Sequence, residues 1–198
     1  MRFAPTLMLV SALALGACSR NEAVTEDLNS TMENDVLDQA SDASNAAAAA
    51  QPASQTISFA AGDGSPLGSV TVEDGPGGAI LRLAGTSMPA GTHGIHLHAV
   101  GKCEGPKFET AGGHWNPDSK QHGTENPNGS HKGDLPNVEV NEEGSLNQVL
   151  TLAGIRFADL ADADGTALVI HAGPDDYKTD PSGNSGDRIA CAVIAPSR

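Results

Sequence analysis

All seven histidines of this 198-residue chain fall between residues 93 and 171, in spacings that metal ligands use. His93-Gly94-Ile95-His96-Leu97-His98 holds three, His114, His122 and His131 follow with Asp134 close behind, and His171 ends an apolar run. Neutral imidazole is the commonest protein metal ligand. On a strand, side chains two apart share a face, so His96 and His98 project together while His93 points the other way. Two imidazoles on one strand make half a site, and His114 and His171 are available to complete it. Four nitrogens suit Cu(II) in a tetragonal site. His114, His122, His131 and Asp134 offer three nitrogens and an oxygen from one stretch, which suits a closed tetrahedral zinc site.

Two four-ligand sites drawn from these residues require one to serve twice. His114 lies between the two groups in sequence and is the candidate. Stripped of both N–H protons, its ring would bridge metals roughly 6 Å apart, given metal–nitrogen bonds of about 2 Å. His93, on the wrong face, reads as a structural hydrogen-bonding residue.

The elements that must position these ligands are short. Strands are expected at residues 56–60, 67–73, 79–83, 91–100, 137–140, 145–152, 167–171 and 189–195, with a tight hairpin at 141–144. Eight short strands without a long amphipathic helix indicate an all-β, antiparallel sandwich or barrel. Two connections, residues 101–136 and 172–188, are far longer than hairpins, and long loops in compact domains usually serve function. They carry four of the candidate ligands, and the second ends at Arg188. Asp175 and Asp176 lie in the second loop, and Lys120, Lys132 and Lys178 are further candidates for positive potential near a site. Trp115 reads as packing.

Residues 1–18 combine Arg2, an apolar run and Leu15-Gly16-Ala17-Cys18, the pattern of a secretory signal ending in a bacterial lipobox. The apolar run is shorter than the roughly 20 residues that span a bilayer. Cys18 is therefore the expected lipidation site, and Ser19 suits sorting to the outer membrane of a periplasmic lipoprotein. Residues 19–55 hold seven acids against Arg20 and no aromatic residue, too little apolar surface to offset ordering, and read as a disordered acidic tether. Net charge is −14, which disfavours nucleic acid and leaves the lipid anchor as the only membrane contact. Cys103 and Cys191 remain, and in an exported protein two such cysteines suggest one disulfide.

His93–His98 resembles the strand motif of the copper–zinc superoxide dismutases. Gly113-His114-Trp115-Asn116-Pro117, His122-Gly123 and His131-Lys132-Gly133-Asp134-Leu135 are similar to their zinc loop, and Gly183–Cys191 to their closing signature. The resemblance spans residues 56–196 of a domain placed at 56–198, and bacterial exported members match it best. It implies an eight-stranded Greek-key barrel, copper at His96, His98, His114 and His171, and zinc at His114, His122, His131 and Asp134. It also implies a Cys103–Cys191 disulfide, an Asp175 carboxylate orienting one ligand of each metal, and Arg188 receiving the anionic substrate. The implied reaction is dismutation of superoxide to oxygen and hydrogen peroxide, with copper cycling between Cu(II) and Cu(I) and His114 carrying a proton. Superoxide dismutases are a standard example of enzymes near the diffusional ceiling of about 10⁸–10⁹ M⁻¹s⁻¹. Relatives include monomers and homodimers, and either state is open. More residues separate Cys103 from His114 than in eukaryotic members, and Trp115 replaces other aromatics; neither departure removes a ligand. A periplasmic metal buffer and a zinc hydrolase are the rival readings. The first would lack ligands or Arg188, and the second would keep an open zinc position.

Overall fold

The computed structural model describes residues 54–198. The signal segment with Cys18, and residues 19–53 of the acidic segment, lie outside the described residues. Ser54 and Gln55, expected in the tether, begin the first strand.

Nine strands form one antiparallel sheet: β1 Ser54–Ala60, β2 Pro66–Gly75, β3 Gly78–Gly85, β4 Gly91–His93, β5 Ile95–His98, β6 Val138–Val140, β7 Leu146–Ala153, β8 Thr166–His171 and β9 Arg188–Ala195. Their order is β4-β6-β7-β3-β2-β1-β9-β8-β5. The connections β3→β4 and β7→β8 each jump over neighbours, which is the Greek-key pattern. The first and last strands of that order are consecutive in the chain, so β4 and β5 nearly close the sheet into a barrel. Eight strands were expected, and the ninth arises because 91–98 splits at Gly94. Gly94 donates to Gly173 O at 2.8 Å and accepts from His171 N–H at 2.8 Å. A Cβ on Gly94 would meet Ser185 Cβ at 2.9 Å, so only glycine fits this crossing.

Alternation decides which faces turn inward. In β3, Ala79, Leu81 and Leu83 are buried while Arg82 and Ala84 are exposed; in β7, Leu150 and Leu152 are buried and Val149 and Thr151 exposed. These residues join Phe59, Val70, Ile95, Leu97, Leu168 and Ile170 in one core. Each such side chain contributes about 2 kcal/mol on burial. The predicted hairpin is present: Gly144, at φ 77°, donates to Asn141 O at 2.9 Å, and Asn141 Oδ1 accepts Ser145 N–H at 2.7 Å.

Strands β5 and β8 break the alternation, because every residue in both is buried. Ile95, Leu97, Leu168 and Ile170 fill the barrel, so His96, His98 and His171 face outward, beneath the two long loops. The first loop is fastened to the free edge of β5. Leu97 N–H donates to Gly133 O at 2.9 Å, Trp115 N–H to Leu97 O at 2.7 Å, and Ala99 N–H to Gly113 O at 2.9 Å. An edge strand's unpaired backbone groups demand partners, and here the ligand-bearing loop supplies them. Trp115 packs into the core, as expected. The Cys103–Cys191 disulfide ties the same loop to β9, with Cα atoms 5.7 Å apart.

Candidate metal centre

Two clusters share the outer wall of β5. In the first, His96, His98, His114 and His171 each offer a ring nitrogen, all within 4.8 Å of one another. His96 Nε2 donates to Asp175 Oδ2 at 2.7 Å, His98 Nδ1 to Gly112 O at 2.9 Å and His171 Nδ1 to Gly186 O at 3.1 Å. Those contacts fix the tautomers and leave His96 Nδ1, His98 Nε2 and His171 Nε2 bare. Together with His114 Nε2, these four nitrogens are buried without a hydrogen-bond partner. A buried polar atom left unpaired costs about 1–3 kcal/mol, so four converging lone pairs call for a cation. Burial keeps the rings neutral and able to donate. It holds His114 at about 4 and His171 at about 3, and pushes His96 down despite Asp175. His98 lies well below the usual imidazole range, through burial and then the neighbouring charges of His114 and Arg188.

In the second cluster, His114 Nδ1, His122 Nδ1 and His131 Nδ1 surround Asp134 Oδ1 at 2.9, 3.0 and 3.1 Å, and His114 and His131 approach to 3.4 Å. Four donors at bonds of about 2.0 Å from a tetrahedral ion are separated by about 3.3 Å, so these contacts have the size of a coordination tetrahedron's edges. Asp134 is pinned by Gly123 and His131 N–H groups on Oδ2, at 2.9 and 3.0 Å. Burial opposes its charge, yet the hydrogen bonds of His114, His122 and Gly123 hold it far below the usual carboxylate range. His114 thus presents Nε2 to one cluster and Nδ1 to the other.

Asp175 joins the clusters. Its Oδ1 accepts from His122 Nε2 at 3.0 Å while Oδ2 accepts from His96, and it is 3% exposed. Burial works against charge on His122, but the carboxylates of Asp134 and Asp175 raise it to about 9. Asp176, the alternative, is exposed and occupied by Thr179 and Asn184. His93 lies apart, its nitrogens hydrogen-bonded 2.7 Å from His171 O and 2.8 Å from Pro89 O.

Arg188, at the start of β9, donates to Phe108 O at 2.6 Å and Gly112 O at 2.7 Å. Gly112 O also receives His98, so one carbonyl fixes the arginine and a cluster histidine together. Arg188 lines a cavity of about 410 Å³ with Lys107, Glu109 and Asp187. Lys120, Lys132 and Lys178 do not line it; Lys132 pairs with Asp118 and Lys178 with Glu125. Residues not anticipated are Asp180, whose Oδ1 accepts His122 N–H at 2.6 Å, and Asn137, Tyr177 and Gly183 around Asp175.

A nearly closed Greek-key barrel with two histidine clusters meeting at one ring on its outer wall defines a two-metal β-barrel protein. The family model described as copper/zinc superoxide dismutase matches residues 67–194. Superoxide dismutase (Cu-Zn) 1 of Aquifex aeolicus is 42% identical over 66% of this chain and 81% of its own. A superoxide dismutase-like protein of Bacillus subtilis superposes with a TM-score of 0.68 at 35% identity, covering 70% of this chain and 97% of that one. The monomeric copper, zinc superoxide dismutase of Salmonella enterica gives 0.58 at 32% identity, over 71% and 99%. The chain belongs to the copper/zinc superoxide dismutase family. It is accordingly an enzyme of superoxide dismutation with copper and zinc as cofactors.

Proposed function

We propose that superoxide is dismutated at copper held by His96 Nδ1, His98 Nε2, His114 Nε2 and His171 Nε2. Zinc is held by His114 Nδ1, His122 Nδ1, His131 Nδ1 and Asp134 Oδ1, with the His114 ring shared. The observation that carries this reading is the set of four buried, unpartnered nitrogens, one from each histidine of the first cluster. Copper bound there would supply one-electron chemistry between Cu(II) and Cu(I), accepting an electron from one superoxide and returning it to the next, and zinc would add a redox-silent charge. His114 Nε2, whenever copper does not occupy it, is the atom that would hold a proton and pass it to the peroxide product, because Nδ1 belongs to the zinc set; the second proton of hydrogen peroxide would come from water. Arg188 keeps its charge at any working pH and offers the anion a docking cation at the cavity wall. Asp175 keeps the Nε2–H tautomers of His96 and His122.

The rivals are less well supported. Zinc hydrolysis needs an open coordination position, whereas this set is complete with four protein donors. A passive metal buffer has no use for an arginine fixed by two carbonyls at a cavity. Metal analysis of the purified full chain, with a superoxide-consumption assay, tests the reading. Expected are one copper and one zinc per chain with rapid consumption; a single metal, or two sharing no ligand, refutes it. The same proposal places a lipid anchor at Cys18 and the enzyme, as a monomer or homodimer, on the periplasmic side of an outer membrane. Labelled palmitate should enter the wild-type chain and not Cys18→Ala.

A further inference from the structure

The carboxylate that joins the two clusters is itself held, and the holder is Asn137. This residue sits three positions after Asp134, where the first long loop runs into β6. Its side-chain amide makes two bonds to one backbone: Oδ1 accepts Asp175 N–H at 2.9 Å, and Nδ2 donates to Asp175 O at 2.9 Å. Its own N–H donates to the Tyr177 hydroxyl at 2.8 Å, so residues on both sides of Asp176 are tied to one asparagine. Tyr177 N–H in turn donates to Asp175 Oδ1 at 2.7 Å. The carboxylate has no room to drift. Gly183 lies so near that a Cβ there would overlap Asp175 Oδ1 and come within 2.7 Å of His122 Nε2, and a Cβ on Gly94 would reach Asp175 Cβ at 3.4 Å.

We infer that Asn137 is a positioning residue that couples the zinc and copper sites through Asp175. The inference rests on the two-metal reading of the clusters. The segment 134–137 then supplies a zinc donor at one end and, at the other, the amide that fixes the bridging carboxylate. Order imposed on the loop by zinc reaches His96 Nε2 by that route. An amide suits this place because Asp175 presents both a donor and an acceptor, and the carboxamide of Asn or Gln answers both with one planar group at any working pH. Asparagine has the reach shown; glutamine is one methylene longer.

The test uses full-length protein loaded with copper and zinc, and reads zinc release to a chromophoric chelator. Asn137→Ala should release zinc at least tenfold more readily, the range in which outer partners of metal ligands act. Asp175→Ala should do so to a similar degree. The double variant should be no worse than Asp175→Ala alone, because one residue acts through the other. A purely structural asparagine would instead add its effect to that of Asp175→Ala. Asn137→Asp keeps the shape and one bond but sets a carboxylate against Asp175 O; it too should lose zinc, and the His96 Nε2–H signal in proton NMR should broaden. Wild-type zinc retention in either single variant, or additive effects, overturns the inference. So does loss of the fold in both Asn137 variants, which would make the residue structural only. A wild-type protein holding no zinc overturns this inference and the two-metal reading together. Zinc held equally by wild type and variant overturns this inference alone.

Discussion

Counting protons during metal uptake tests the shared ring of His114 directly. Metal ligands must be deprotonated, so uptake releases whatever protons the donors carried. At pH 8 an ordinary imidazole is already neutral, but Asp134 and Asp175 hold His122 at about 9, so it remains roughly nine-tenths charged. Zinc uptake by metal-free protein should therefore release about 0.9 proton. Apparent zinc affinity should rise about tenfold per pH unit up to about 9 and flatten above it. His114 and Asp134 add nothing in this window, since burial holds His114 at about 4 and the hydrogen bonds of His114, His122 and Gly123 keep Asp134 ionised. Copper uptake by the zinc-loaded protein is the sharper measurement. His98, His171 and His96 enter it neutral, so the only proton left to lose is the one on His114 Nε2. One proton per copper is expected, measured by calorimetry in buffers of different ionisation enthalpy. Copper entering with no proton released would refute the shared imidazole, whatever the activity of the product.

Three further outcomes follow from the same contacts. Metal-free protein should be most resistant to urea near pH 7. Towards alkaline pH it loses the contribution of His122 as that group titrates through about 9. Towards acid, the unfolded chain binds protons that the buried His98, His114 and His171 refuse, so a urea midpoint that does not vary between pH 5 and 9 would contradict the assignments. Arg188→Ala should keep both metals yet slow superoxide consumption about tenfold, the ~1–2 kcal/mol of one charge at a half-solvated wall, and flatten its salt dependence. Unchanged kinetics would remove Arg188 from substrate capture. His122→Ala should lose zinc while part of the copper is retained, because His122 is not among the four donors of the first cluster; full zinc in that variant would sink the assignment.

Much of the centre was legible in the chain because ligand type and period carry it. His96 and His98 share a face by strand geometry alone, and the outward direction of that face follows once Ile95 and Leu97 are seen to be the apolar pair. The three-residue step from His131 to Asp134 marked a local chelate, and the two long loops marked themselves by length. Other features depended on packing that no local pattern encodes. Asp175 and Asp176 are neighbouring acids of identical chemistry, and only burial between His96 and His122 distinguishes them. The break at Gly94 comes from the backbone approach of Gly173, almost 80 residues away. Asn137 stands at the start of the strand expected at 137–140, and nothing in the local sequence sets Asp180 apart. Lys107, rather than the three lysines singled out, shares the cavity with Arg188, because the disulfide-bound stretch folds towards β9.

Fastening the reactive apparatus to the external face of β5 and β8, with hydrophobic packing inside, separates durability from chemistry. Substitutions at Leu81 or Leu152 alter how firmly the scaffold stands, while the loops, apart from core residues such as Trp115 and Leu135, can be rewritten without reopening its interior. A lineage could thus retune metal preference or substrate access by editing two surface excursions, and keep the same cylinder throughout.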